Sequence, residues 1–276
     1  MRVCRSFETL LGGALLGAAL SLSQPEPALA CGPLAHAVSA DRAFAQMVSR
    51  QPWLAPFRDA FIWGAVAPDV HEAPGAGHLS RARTHAPSTL ASLWRGAPDA
   101  TGRAFVLGWA AHMGADADAE ASAARDLCLD AALLPGASQQ LQAMAVAAWR
   151  HSGGAAGAAV QGVLLHPLGL DAATYTGWAS LTAAMAGRGP DRYLRERARF
   201  LRLERDLDRL RSPEARETLG DPAAIIAEAS QAARQAVERL LGGAAPQAPS
   251  ARSGCGRAGR AVTALSVRET LIRPKP

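Results

Sequence analysis

The sequence has no asparagine, one lysine (Lys275), two tyrosines and four isoleucines among 276 residues. Strands draw heavily on β-branched and aromatic side chains, and aromatic residues make up only 5% of this chain. That scarcity argues against an all-β fold or a parallel-sheet enzyme. Long uncharged apolar runs are also missing: beyond the first thirty residues none reaches the roughly 20 positions that a bilayer span requires. Alanine, the strongest helix former, fills the space at 63 positions. At 49% hydrophobic and 19% charged, the chain is too apolar to stay disordered. The expectation is an all-α fold built as a single multi-helix domain.

Residues 1–30 read as an export signal. Arg2 and Arg5 form a basic start, 10–22 a short apolar run, and Ala28-Leu29-Ala30 a small-x-small cleavage site. The expected organisation is therefore a signal peptide over 1–30, a helical domain over 31–243 and a basic tail over 244–276, in a periplasmic or secreted protein. Cleavage would leave Cys31 first, where lipoprotein anchoring is an alternative. Cys31, Cys128 and Cys255 would then share an oxidising compartment, and three thiols allow at most one internal disulfide. Their spacing matches no thiolate zinc motif. The net charge of +5 is weighted toward the ends. In the tail Arg252, Arg257, Arg260, Arg268, Arg273 and Lys275 face one acidic residue, Glu269. Such an arm suits peripheral contact with anionic lipid. No aromatic residues interleave with these arginines, so specific nucleic-acid binding is not expected.

Between these ends, patterning predicts helices over 34–50, 55–63, 103–134, 139–150, 172–185, 191–211 and 223–241. Residues 67–100 carry Pro68, Pro74, Pro87 and Pro98 with several glycines and no apolar period. They are expected to form a long loop, functional or disordered.

The chemistry concentrates around residues 105–130. At 100° per residue, His112, Asp116 and Glu120 drift by about 40° per step and share one helix face. Asp118 points the other way, Asp130 returns to the azimuth of His112, and Asp126 lies close to it. Imidazole and carboxylate are the ligands zinc takes, and an i, i+4 pair offers two of them to one ion. For this helix alone, a solvated acidic face explains the pattern equally well. Further donors come from other segments: His36, Asp69 at the end of Gly64-Ala65-Val66-Ala67-Pro68-Asp69, and His85 after Thr84, with His71 and His78 between.

In this order Cys31-Gly32-Pro33-Leu34-Ala35-His36, the Pro68-Asp69 turn, Thr84-His85, and Gly108-Trp109-Ala110-Ala111-His112 with Asp116 resemble the bacterial zinc-dependent phospholipase C family. That family shares an all-helical fold with the S1/P1-type nucleases, and the resemblance covers roughly residues 31–130. It implies one to three zinc ions held by His36, Asp69, His85, His112 and Asp116, with Glu120 as a substitution and the amine and carbonyl of Cys31 as a further ligand. It also implies metal-assisted hydrolysis of phospholipid or other phosphodiester substrates. Asp69 would bridge ions or orient the attacking water, and residues 70–84 would border the cleft.

The chain departs from the family pattern in several places. Cys31 stands where the family has Trp. Glu120 and Ser122 occupy positions where a further His is usual. Neither His151, followed by Ser152-Gly153-Gly154-Ala155, nor His166 with Leu170 recreates the later His-x-x-x-Glu pair. Asp126 is the available substitute for that glutamate. A nuclease-like phosphodiesterase on the same fold, or a non-catalytic exported metal-binding protein, are the alternatives.

Overall fold

The computed structural model describes residues 32–116 and 123–243. The expected signal peptide, Cys31, the 117–122 segment with Asp118 and Glu120, and the tail lie outside the described residues.

Helix α1 (Pro33–Val48) opens on a proline, whose missing N–H would have had no helical partner. A 3-10 turn (Pro52–Phe57) leads to α2 (Arg58–Val66), and a second (Ala67–Glu72) carries Asp69. Three helices follow: α3 (Arg81–Thr84), α4 (Pro87–Gly96) and α5 (Ala100–Ala115). The second half contains α6 (Ala123–Leu133), α7 (Ser138–Ser152), α8 (Gly154–Leu168), α9 (Ala172–Ala186) and α10 (Pro190–Phe200). It closes with α11 (Leu207–Leu210), α12 (Pro213–Leu219) and α13 (Pro222–Leu241). Ser80, Asp99, Asp171, Ser212 and Asp221 each cap a helix by accepting a first-turn backbone N–H. No strand occurs among the described residues, so the all-α expectation holds.

The core is organised around α5. Every residue from Ala104 to Met113 is buried, as expected of a helix that is apolar on all sides. It meets α2 at a crossing that side chains would prevent. An added Cβ at Gly64 would lie 2.0 Å from the Phe105 carbonyl oxygen, and one at Gly108 would lie 2.0 Å from that of Phe61. On another side Gly114 faces the Ala232 carbonyl of α13, where a Cβ would sit at 2.5 Å. These bare contacts bring the backbone at Ala65 within reach of a side chain on α5.

Several expectations from the sequence need correction. The helix expected over 103–134 ends at Ala115, and Asp116 takes a non-helical φ/ψ of −89°/64°. There its carboxylate is held by Arg81 and His85. Residues 67–100 are not a structureless loop: three helical segments are fixed from within, and Trp109 Nε1 donates to the Thr84 carbonyl at 3.1 Å. Helix α8 was absent from the sequence reading because of its glycines and Pro167. Val160, Val163, Leu164 and Leu168 nevertheless give it a buried stripe, and Gly169 ends it in the left-handed region at φ 61°. The helix expected over 191–211 breaks after Phe200, where Arg202 adopts φ 58°.

Candidate metal centre

Four elements deliver the five donors brought together here. His36 comes from α1, Asp69 from the 3-10 turn after α2, His85 from the C-cap of α3, and His112 with Asp116 from the end of α5. All are buried except His85, which is nearly so. His112 Nδ1 lies 2.8 Å from the Ala65 carbonyl oxygen. A carbonyl only accepts, so Nδ1 carries the proton and Nε2 presents its lone pair. His85 Nδ1 lies 3.0 Å from the Arg81 carbonyl oxygen and 2.9 Å from the Thr84 hydroxyl, and its Nε2 lies 3.1 Å from Asp116 Oδ2. His85 Nε2 also faces the bare Nε2 of His112, 2.9 Å away.

A proton on His85 Nε2, or a cation between the two nitrogens, satisfies so short an approach. Adjacent ligands of a tetrahedral zinc with bonds of ~2 Å sit about 3.3 Å apart, so the spacing is near what a shared ion imposes. Carboxylate oxygens surround the pair. Asp116 Oδ2 is 3.1 Å from His85 Nε2 and 3.9 Å from His112 Nε2, and Asp69 Oδ1 is 3.8 Å from His112 Nε2. His36 stacks on His112, with ring centroids 3.8 Å apart. Two triplets of donors result, His36–Asp69–His112 and His85–His112–Asp116. Since Nδ1 of His112 is committed to Ala65, both triplets draw on the single atom Nε2. Each therefore cannot hold its own ion through His112.

Electrostatics favours a cation in this cluster. Burial, reinforced by the neighbouring His36 and His85, pushes His112 well below the usual imidazole range, which keeps the ring neutral and its lone pair available. Burial also raises the Asp69 carboxyl, with Glu72 and Asp116 adding to the effect. Asp116 differs. Burial pushes it up, but the hydrogen bond with His85 and the neighbouring His112, His85 and Arg81 outweigh that and leave it below its ordinary value. Its Oδ1 is buried without a hydrogen-bond partner among the described residues.

Two further groups at this site escaped the sequence reading. Arg81, four residues before His85, donates through Nη2 to Asp116 Oδ2. His71, read as one loop histidine among others, packs edge-on to His85 with centroids 5.8 Å apart and donates from Nδ1 to the Pro68 carbonyl at 3.1 Å. The i, i+4 relation of Arg81 to His85 was the available signal for the first. His78 instead bonds the Gly169 carbonyl. His151 lies among Asp59, Arg150 and Ala156.

Asp126 and Asp130, expected on the His112 face, do not extend it, because Asp116 leaves the helix. Asp130 Oδ1 accepts from the Ala35 N–H at 3.2 Å and its Oδ2 from the Tyr193 hydroxyl at 2.6 Å, so it holds the start of α1. Asp126 is buried on α6 and raised well above its usual range by that burial. Arg197 and Glu72, paired at 2.9 Å, are the nearest influences on it after burial. Cys31 and Glu120 lie outside the described residues. Cys128 is a buried free thiol, and burial raises its pKa to about 11.

No family model, curated protein or solved structure matches this chain.

Proposed function

We propose that this chain is an exported zinc-dependent phosphodiester hydrolase of phospholipase C type. One observation carries the reading: the Nε2 atoms of His85 and His112 converge to 2.9 Å beside the carboxylates of Asp116 and Asp69, with His112 fixed by the Ala65 carbonyl behind it. Backbone carbonyls that orient metal-binding histidines are a common supporting arrangement. The donor set of neutral imidazoles with two carboxylates fits zinc, with Asp69, His85, His112 and Asp116 as the holding residues and His36 beside them.

A divalent ion bound there would polarise a phosphoryl oxygen and lower the pKa of water. The chain's own contributions are then specific. Asp69, on a rigid turn and slightly exposed, is placed to orient a water and accept its proton. His112, sealed by α2 and α5, keeps the centre in its low-dielectric setting. Arg81 balances the charge of Asp116 at the more open side. A phospholipid headgroup or another phosphodiester is the substrate class. A second reading, an ion held without turnover, draws on the near-complete burial of His112 and Asp116.

Hydrolysis of bis(4-nitrophenyl) phosphate separates the two. The purified chain should cleave it, lose the activity to a chelator and regain it with added zinc. A zinc-loaded chain that cleaves neither this diester nor phosphatidylcholine would contradict the hydrolase reading and leave the binding protein.

A further inference from the structure

We infer that Arg81 is an anion-recognition residue of this centre, placed to grip the phosphoryl oxygens of a phosphate ester. The inference rests on the metal-hydrolase reading and adds to it a residue that the donor set does not include.

Exposure gives the first indication. In the cluster the side chains of His112 and Asp116 are 0% exposed and those of His85 and Asp69 are each 9%, whereas that of Arg81 is 24%. An incoming solute therefore meets the cluster on the side of the guanidinium. The second indication is how firmly the residue is held. The Arg81 carbonyl accepts from the His85 backbone N–H at 2.9 Å and from the Thr84 hydroxyl at 3.2 Å, and His85 Nδ1 lies 3.0 Å from it. Arg81 and His85 thus form one rigid unit, and the side-chain root stays in register with the donor nitrogen.

Donor arithmetic supplies the third. A guanidinium carries five N–H donors in a planar fork. Nη2 is the Arg81 donor that bonds Asp116 Oδ2. The fork matches two oxygens of a phosphate bidentately, and charge assistance makes such bonds the strong kind. The ligand chemistry is a phosphoryl oxyanion, which a phosphodiester and free phosphate both present. Charge favours the same assignment: beside Asp116 a fixed cation is already present, so an ion adds positive charge that an anionic substrate offsets.

The test is calorimetric titration of the zinc-loaded full chain with inorganic phosphate and, separately, with dimethyl phosphate, zinc content being measured on the same samples. Arg81→Gln should keep the wild-type zinc content and bind phosphate at least tenfold more weakly. Arg81→Lys should recover only part of that loss, since an ammonium lacks the fork. A parallel loss with dimethyl phosphate assigns the diester as ligand, and a loss confined to inorganic phosphate assigns the free anion; both uphold Arg81. Phosphate affinity within twofold of wild type would overturn the inference, as would a loss of zinc in Arg81→Gln, which would leave Arg81 no role beyond its bond to Asp116. Should Arg81→Gln fail to fold by circular dichroism, Arg81→Lys decides: weaker phosphate binding with intact zinc supports the role, and unchanged binding overturns it. A wild-type chain that takes up no zinc defeats the underlying reading, and the same titrations on the zinc-free chain still decide for Arg81.

Discussion

His112 and His151 are both buried imidazoles, and their surroundings give them opposite uses. His112 has a carbonyl behind it and donors in front. His151 is 2% exposed, and its Nδ1 has no hydrogen-bond partner among the described residues. Burial drives its pKa down to about 4, against the weaker upward pull of Asp59 and the Ala156 backbone. Unfolded, the same ring takes up a proton near pH 6.5. Between those values the unfolded chain binds more protons, so this residue costs stability progressively as pH falls from 6.5 toward 4. The full effect is on the order of 3 kcal/mol. Asp130, raised to about 6 by burial, acts in the opposite sense, because the folded chain holds its proton longer and the group weakens the fold as pH rises past 3.8. A variant comparison isolates the histidine. His151→Gln should flatten the loss of denaturant stability between pH 6.5 and 4 relative to wild type, and an unchanged pH slope would refute this role. In the sequence His36, Asp69, His85, His112 and Asp116 were legible as one group because their types and order carried the signal. Arg81 was not, since its i, i+4 relation to His85 was the one signal and does not say where a guanidinium will point.

At the scale of elements, α2 and α5 set the site by approaching closer than side chains permit. Gly108→Ala would place a methyl group against the Phe61 carbonyl, where rigid backbone leaves no room, so the variant should lose about 3 kcal/mol of stability. Gly162, exposed within α8, has no neighbour within 4 Å of an added Cβ. Gly162→Ala should therefore raise stability by about 0.5–1 kcal/mol through the unfolded chain and helix propensity. Thermal or denaturant unfolding of both variants checks the pair, and equal effects would undo the close-crossing explanation. Helices α1, α7, α9 and α13 were readable because an apolar period and terminal Pro or Gly signals coincide in them. The breaks were not. Asp116 leaves the helix for partners distant in sequence, Arg81 and His85, and a local pattern holds no record of them. Helix α8 was lost for the reverse reason: glycines and Pro167 argued locally for a loop, while burial of its Val and Leu stripe prevailed.

In the whole molecule, helices from both halves of the chain enclose a small set of ionisable groups. Around the donor cluster a second polar set is buried: the ion pair of Glu72 with Arg197, and Asp130 accepting from the Tyr193 hydroxyl. Truncating one partner of such a pair is costly because a charge is left behind, so the scaffold next to the centre is rigid by construction. No described helix is long and apolar enough to cross a membrane. The donors thus converge in a pre-formed setting, and binding an ion there should appear as added folding stability. Zinc titrated into the chelator-treated full chain, followed by calorimetry beside His112→Ala of verified circular dichroism, tests this most directly. Saturable uptake of at least one ion per chain, weakened a hundredfold or more in His112→Ala, is the expected result. Absence of saturable uptake, or equal affinity in His112→Ala, would contradict a metal centre at His85 and His112.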